Sequence, residues 1–101
     1  MKLHRIAMLA CGLTFAGSAA ADLALAQKEG CLGCHSVDKK IVGPAWKDVA
    51  AKYKGDAGAV DKLAAKVKAG GKGVWGQIPM PPNNVTPDEA KRLVTWILSQ
   101  K

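Results

Sequence analysis

The chain is poor in the residues that usually build metal and redox sites. Among 101 residues there are two histidines, three cysteines and three methionines. Aromatic residues make up 5% of the chain, with one phenylalanine and one tyrosine. No apolar run reaches the roughly 20 residues that a membrane-spanning helix needs. There is no internal repeat, low-complexity tract or linker, and no convincing alternation of apolar and polar residues. Solenoids, tandem domains and sheet-built folds are therefore not expected. Acidic residues are also in the minority, 8 against 15 lysines and arginines, for a formal charge of +7.

The scarcity deepens once the first residues are read for what they are. Lys2 and Arg5 precede an apolar run of 12 residues from Ile6 to Gly17, followed by the small residues Ser18-Ala19-Ala20-Ala21. That order is the pattern of a secretory signal, with cleavage expected after Ala21. Cys11 as a lipoprotein processing site would leave only Ile6 to Ala10 as apolar core, too short for the purpose. The expected mature chain is one domain, residues 22–101, exported to the periplasm and not membrane-anchored after cleavage. Losing residues 1–21 removes two of the 15 basic residues and none of the 8 acidic ones, lowering the formal charge from +7 to +5. It also removes His4, Cys11, Met1 and Met8, so Cys31, Cys34, His35 and Met80 are the whole remaining inventory of soft or imidazole ligands. So small a domain has a thin core and commonly relies on a disulfide, a metal or another staple.

Three of those four residues lie in "CLGCH", residues 31–35. A closed zinc site needs four protein ligands, usually two separated pairs, and there is no second pair. A thioredoxin-like dithiol needs a βαβ context that the flanking sequence does not offer, and a plain disulfide leaves His35 without a role. C-x-x-C-H is also an attachment pattern for c-type haem. In that reading Cys31 and Cys34 lie on one side of a helical turn, so both can form thioethers with one porphyrin, and His35 binds its iron. Every part of the stretch is then used.

An iron bound by His35 has one further axial position, and its occupant separates electron carriers from haem enzymes and gas sensors. Met80 stands in "IPMPP", residues 78–82, where prolines stiffen the backbone. A lone methionine is ordinarily core filler. Here a soft thioether facing a histidine-bound iron is the more coherent expectation.

Outside these stretches the pattern is helical. Thr86-Pro87-Asp88-Glu89 reads as an N-cap, a proline at the first helical position and a capping-box glutamate. Ala90, Leu93, Val94 and Ile97 then share one face. A second helix is expected from near Asp56, with Ala57, Val60, Leu63, Ala64 and Val67 inward and Gly70-Gly71 stopping it. Trp46, Val49, Ala50 and Tyr53 mark a third between Pro44 and Gly55, and Asp22 to Glu29 a short first helix. Residues 72–86 are left as a glycine- and proline-rich loop that carries Met80. The core of the domain is expected to be largely the porphyrin.

With "CLGCH", "VGPAW" (42–46), "GVWG" (73–76) and "IPMPPN" (78–83) in this order and spacing, the chain resembles the small bacterial class I cytochromes c, the cytochrome c551/c552 family. The resemblance covers essentially all of residues 22–101. It implies an all-α fold of about four helices around one covalently attached haem c. It further implies thioethers at Cys31 and Cys34, axial ligands His35 and Met80, and a Pro44 carbonyl receiving the His35 Nδ1 proton. By the same resemblance Trp75 donates its indole N–H to a haem propionate, core packing being the alternative. Asn83 brings its amide toward the Met80 sulfur, with a turn-forming role as the alternative. Lys66 stands where the family can place an arginine toward the propionates.

The function implied is that of a periplasmic electron carrier, a monomer and not an enzyme, serving respiratory partners such as a nitrite reductase or a terminal oxidase. A haem enzyme or gas-binding protein with an open iron site is the alternative. The basic surface implies redox partners with acidic docking faces and no nucleic acid. Lys28, Lys39 and Lys40 are the first candidates for docking, because they lie near the haem stretch in sequence.

Overall fold

The computed structural model describes the backbone of residues 16–101 and the side chains of residues 22–101. The expected apolar run of the signal and Cys11 lie outside the described residues, apart from the end of that run. Four α-helices and one short 3-10 helix form the domain: α1 (Ala16–Lys28), the 3-10 turn Cys31–Gly33, α2 (Trp46–Lys52), α3 (Ala59–Ala69) and α4 (Pro87–Leu98). Among the described residues no strand occurs, only two isolated backbone bridges, His35 with Lys40 and Gly71 with Met80. The α1 backbone runs without a break across the expected cleavage point at Ala21.

The best specified element is α4, on which α1, α2 and α3 all pack. The Thr86 hydroxyl accepts from the Glu89 N–H at 3.1 Å, and the Glu89 carboxylate accepts from the Thr86 N–H at 2.9 Å. This reciprocal pair satisfies two of the four N–H groups that every helix start leaves without a partner. Pro87 sits at the first helical position, where its missing N–H costs nothing. Ala90, Leu93 and Val94 are buried as their spacing requires, and Trp96 joins them.

α2 starts differently, because Ala45 offers no side-chain cap. Its first N–H groups donate instead to the segment that follows CLGCH, Trp46 to Ser36 O at 2.9 Å and Lys47 to Val37 O at 3.1 Å. The candidate haem stretch and α2 are thereby one hydrogen-bonded unit. In α3 the start expected near Asp56 lies three residues later, at Ala59. The Asp56 carboxylate accepts from the Gly58 N–H at 2.9 Å, a local turn that competes with helix. Ala57 is consequently exposed and outside the helix, whereas Ala59, Ala64 and Val67 are buried.

The core corrects a second expectation. Leu25 and Ala26 of α1, Trp46, Ala64, Val67, Val85, Ala90, Leu93, Val94 and Trp96 form a buried apolar cluster of the polypeptide itself. Trp46 and Trp96 meet edge to face, their ring centroids 5.2 Å apart at 72°, an arrangement favoured by the aromatic quadrupoles. The polypeptide thus has an apolar core of its own, built from all four helices and Val85.

Candidate haem site

A cleft of about 510 Å³ opens between the 30–46 segment and the 71–83 loop, within the size range of small-molecule and cofactor sites. Cys31, Cys34, His35 and Met80 all line it, over a floor that includes Val67, Leu93 and Val94. The cleft therefore gathers every soft or imidazole ligand left in residues 22–101.

Local backbone geometry explains how the stretch presents its groups. The Cys34 and His35 N–H groups both donate to Cys31 O, at 3.2 and 2.9 Å. That single tight turn keeps the two thiols near each other and turns His35 inward. Both cysteines are half-buried and neither is in a disulfide. Burial, reinforced by the negative charge of Glu29, pushes the Cys31 thiol above its ordinary pKa, despite an opposing backbone hydrogen bond. An activated redox thiolate needs the opposite shift. That direction does not favour a redox thiolate at Cys31, and among the described residues no group of three or more His, Cys, Asp or Glu side chains is placed to hold a metal ion.

His35 is held on three sides. Its Nδ1–H donates to the Pro44 carbonyl at 2.8 Å. A carbonyl can only accept, so Nδ1 carries a proton and Nε2 is the ring nitrogen left to face a metal. Trp46 stacks on the imidazole, centroids 5.6 Å apart and planes 15° from parallel. Gly43, whose N–H donates to Cys34 O at 2.7 Å, lies against the ring with no room for a side chain. In the sequence Gly43 and Trp46 stand out only as part of a motif and as a helix mark; the signal for their role is their place immediately around Pro44.

Met80 is half-buried and packs on the apolar cluster. Its backbone exchanges two hydrogen bonds with Gly71, Met80 N–H to Gly71 O at 2.8 Å and Gly71 N–H to Met80 O at 3.0 Å. Asn83 borders the cleft, but its amide nitrogen donates to Val67 O at 2.9 Å and Pro81 O at 3.2 Å. These bonds to backbone carbonyls fasten the loop onto α3. Trp75 borders the cleft at 41% exposure, and the Lys52 ammonium lies 5.6 Å from its ring centroid, within cation–π range. Lys66 also borders the cleft, as do Lys40 and Lys72. Lys28 and Lys39 do not, although both are exposed.

Two thiols on one turn, an imidazole with its outer nitrogen already committed and a thioether in the same apolar cleft fit a covalently tethered haem. The fold and the cleft together define the class as a small all-α haem-carrying domain. The sequence profile described as "Cytochrome c" matches residues 21–101. The chain is 67% identical over 87 residues to cytochrome c-551 of Allochromatium vinosum, covering 85% of this chain and 93% of that protein. It is 52% identical over 98 residues to cytochrome c-551 of Pseudomonas aeruginosa, covering 95% of this chain and 94% of that one. The crystal structure of wild-type Nitrosomonas europaea cytochrome c552 superposes with a TM-score of 0.76 at 55% identity, over 78% of this chain and 99% of that chain. The chain belongs to the cytochrome c family, carries one covalently attached c-type haem, and is an electron-transfer protein with redox partners rather than an enzyme. Among the described residues no helix is long and apolar enough to cross a membrane.

Proposed function

We propose that the chain is an exported, periplasmic, single-electron carrier whose iron is closed by His35 and Met80. Cys31 and Cys34 hold the cofactor covalently. When bound, the haem supplies the one-electron couple between ferrous and ferric iron. His35 contributes its Nε2, made more basic by the Nδ1–H bond to Pro44. Met80 contributes an uncharged, soft sulfur, which favours the ferrous state and raises the reduction potential. The apolar floor of Val67, Leu93 and Val94 excludes water, and low polarity around the iron acts in the same direction. Trp75, at the rim, is positioned to offer its indole N–H to a propionate.

The observation that carries this reading is the His35–Pro44 bond at 2.8 Å in a cleft that Met80 also lines. Residues 1–21 act as the export signal, a reading supported by a family match that begins at residue 21. Asp22, the first residue after the expected cut, is tied by its carboxylate to Arg92 of α4 at 3.0 Å. The mature chain works as a monomer. Its docking face is the cleft mouth, where Lys40, Lys66 and Lys72 favour partners with acidic surfaces.

The test is to load the full chain with haem in a host that attaches it, then record ferric and ferrous spectra with and without carbon monoxide. A far-red methionine-to-iron band and no carbon monoxide shift are expected. Met80→Ala should abolish the band and lower the potential. Ready carbon monoxide binding by the unaltered protein would instead identify an open-iron enzyme or gas binder.

A further inference from the structure

The end of α3 meets the Met80 segment backbone to backbone. Gly70 closes the helix at φ 73° and ψ −170°, a conformation that side-chain-bearing residues rarely adopt. A Cβ at Gly70 would run into the Met80 carbonyl oxygen and stand 2.9 Å from both the Pro81 carbonyl carbon and the Pro82 nitrogen. All three neighbours are backbone of one proline-stiffened segment, so none can swing aside as a flexible side chain would.

Hydrogen bonds fix the same approach. The two bonds between Gly71 and Met80 are joined by two at the last turn of α3, whose carbonyls lack partners within the helix. Val67 O accepts the Asn83 side-chain amide at 2.9 Å, and Lys68 O accepts the Asn83 N–H at 3.3 Å. Residues 80–83 are therefore seated on the end of one helix, with the missing Cβ of Gly70 making the seat possible.

We propose that Gly70 is the positioning residue for Met80: the bare Gly70 backbone sets how close residues 80–82 come to α3, and hence where the thioether enters the cleft. The proposal rests on Met80 being the axial ligand. Gly55 provides the control, because it has a similar φ of 80° but no atom within 4 Å of a built Cβ. An alanine at Gly55 carries the backbone strain alone, and one at Gly70 carries strain and collision together.

The experiment compares haem-loaded Gly70→Ala, Gly55→Ala and Met80→Ala with the unaltered full chain. The readouts are the far-red methionine-to-iron band, the reduction potential and the carbon monoxide on-rate. Gly70→Ala should raise the fraction lacking the band by roughly tenfold, the scale of an overpacking penalty, with a lower potential and faster carbon monoxide binding. Gly55→Ala should keep the band and the potential. Equal effects of the two alanines, or an unchanged band in Gly70→Ala, overturn the seat while leaving Met80 as ligand. An unchanged band and potential in Met80→Ala overturn the ligand assignment itself. If Gly70→Ala does not accumulate haem-loaded, Gly71→Ala serves in its place. It alters the residue bridged directly to Met80, and the nearest atoms to its Cβ belong to the flexible Lys66 side chain. A weakened band there upholds the seat, and a band like that of Gly55→Ala overturns it.

Discussion

Gly43 lies so close against His35 that a Cβ on it would stand 2.5 Å from the imidazole Cε1 and 2.9 Å from both ring nitrogens. The ring cannot retreat freely, since Pro44 O holds its Nδ1 and Trp46 covers a face. Gly43→Ala should therefore cost about 1–3 kcal/mol as an overpacked contact and disturb the Nδ1–H bond that orients the imidazole. Denaturant titration of the haem-loaded protein, with its reduction potential, measures both effects. A midpoint and potential equal to those of the unaltered protein would show that the ring has room to move.

The indole of Trp46 joins His35 to the core, stacking on its ring and meeting Trp96 edge to face. At 2% exposure it has no solvent into which it can relax. Trp46→Ala should destabilise the domain by about 3–5 kcal/mol, the usual cost of emptying a large aromatic site, whereas Trp46→Tyr should keep most of the packing. Thermal unfolding of the two variants decides the point, and similar losses for both would mean that ring area is not what matters at this position.

Charge at the cleft mouth predicts how partners are met. Lys40 and Lys72 border the cleft and Lys28 does not. With a negatively charged redox protein at low salt, Lys40→Glu and Lys72→Glu together should slow association by roughly tenfold, and the difference should fade as salt rises. Stopped-flow electron transfer across a salt series reads this directly. A Lys28→Glu variant that slows association as much as that pair would move the docking face toward the end of α1.

What the sequence made legible was local. The Thr86-Pro87-Asp88-Glu89 start of α4 and the C-x-x-C-H turn are short-range patterns, each complete within five residues, and both appear as written. The missed features depend on segments that meet only in the fold. Trp96, at the edge of the buried α4 face, is covered by a tryptophan on α2 that packs against it. The Asn83 amide turns to Val67 O, 16 residues away in sequence, because the end of α3 offers carbonyls with no other donor. Gly43 and Gly70 likewise carry no one-dimensional mark of the rings and carbonyls they face. The late start of α3 is the exception: the Asp56 carboxylate reaching Gly58 is a local turn, and aspartate two residues before glycine was the signal for it.

The capping box of α4 carries a pH dependence with a defined sign. The Thr86 N–H, first of all, and then the Thr86 hydroxyl hold the Glu89 carboxyl below its ordinary pKa against a small opposing effect of burial, with Lys28 and Arg92 adding to the depression. A group depressed in the folded state contributes stability that is present above its unfolded pKa and lost as pH falls through the folded one. The unaltered protein should therefore lose part of its stability on its acid limb, and Glu89→Gln, which keeps an acceptor but does not titrate, should show a flatter limb. Thr86→Ala removes the reciprocal hydroxyl and should cost about 1 kcal/mol at neutral pH, as for other N-caps. Denaturant midpoints of the three proteins across the carboxylate range provide the measurement. If Glu89→Gln follows the same acid limb as the unaltered protein, the dependence arises from other carboxylates, and the cap acts through hydrogen bonding alone.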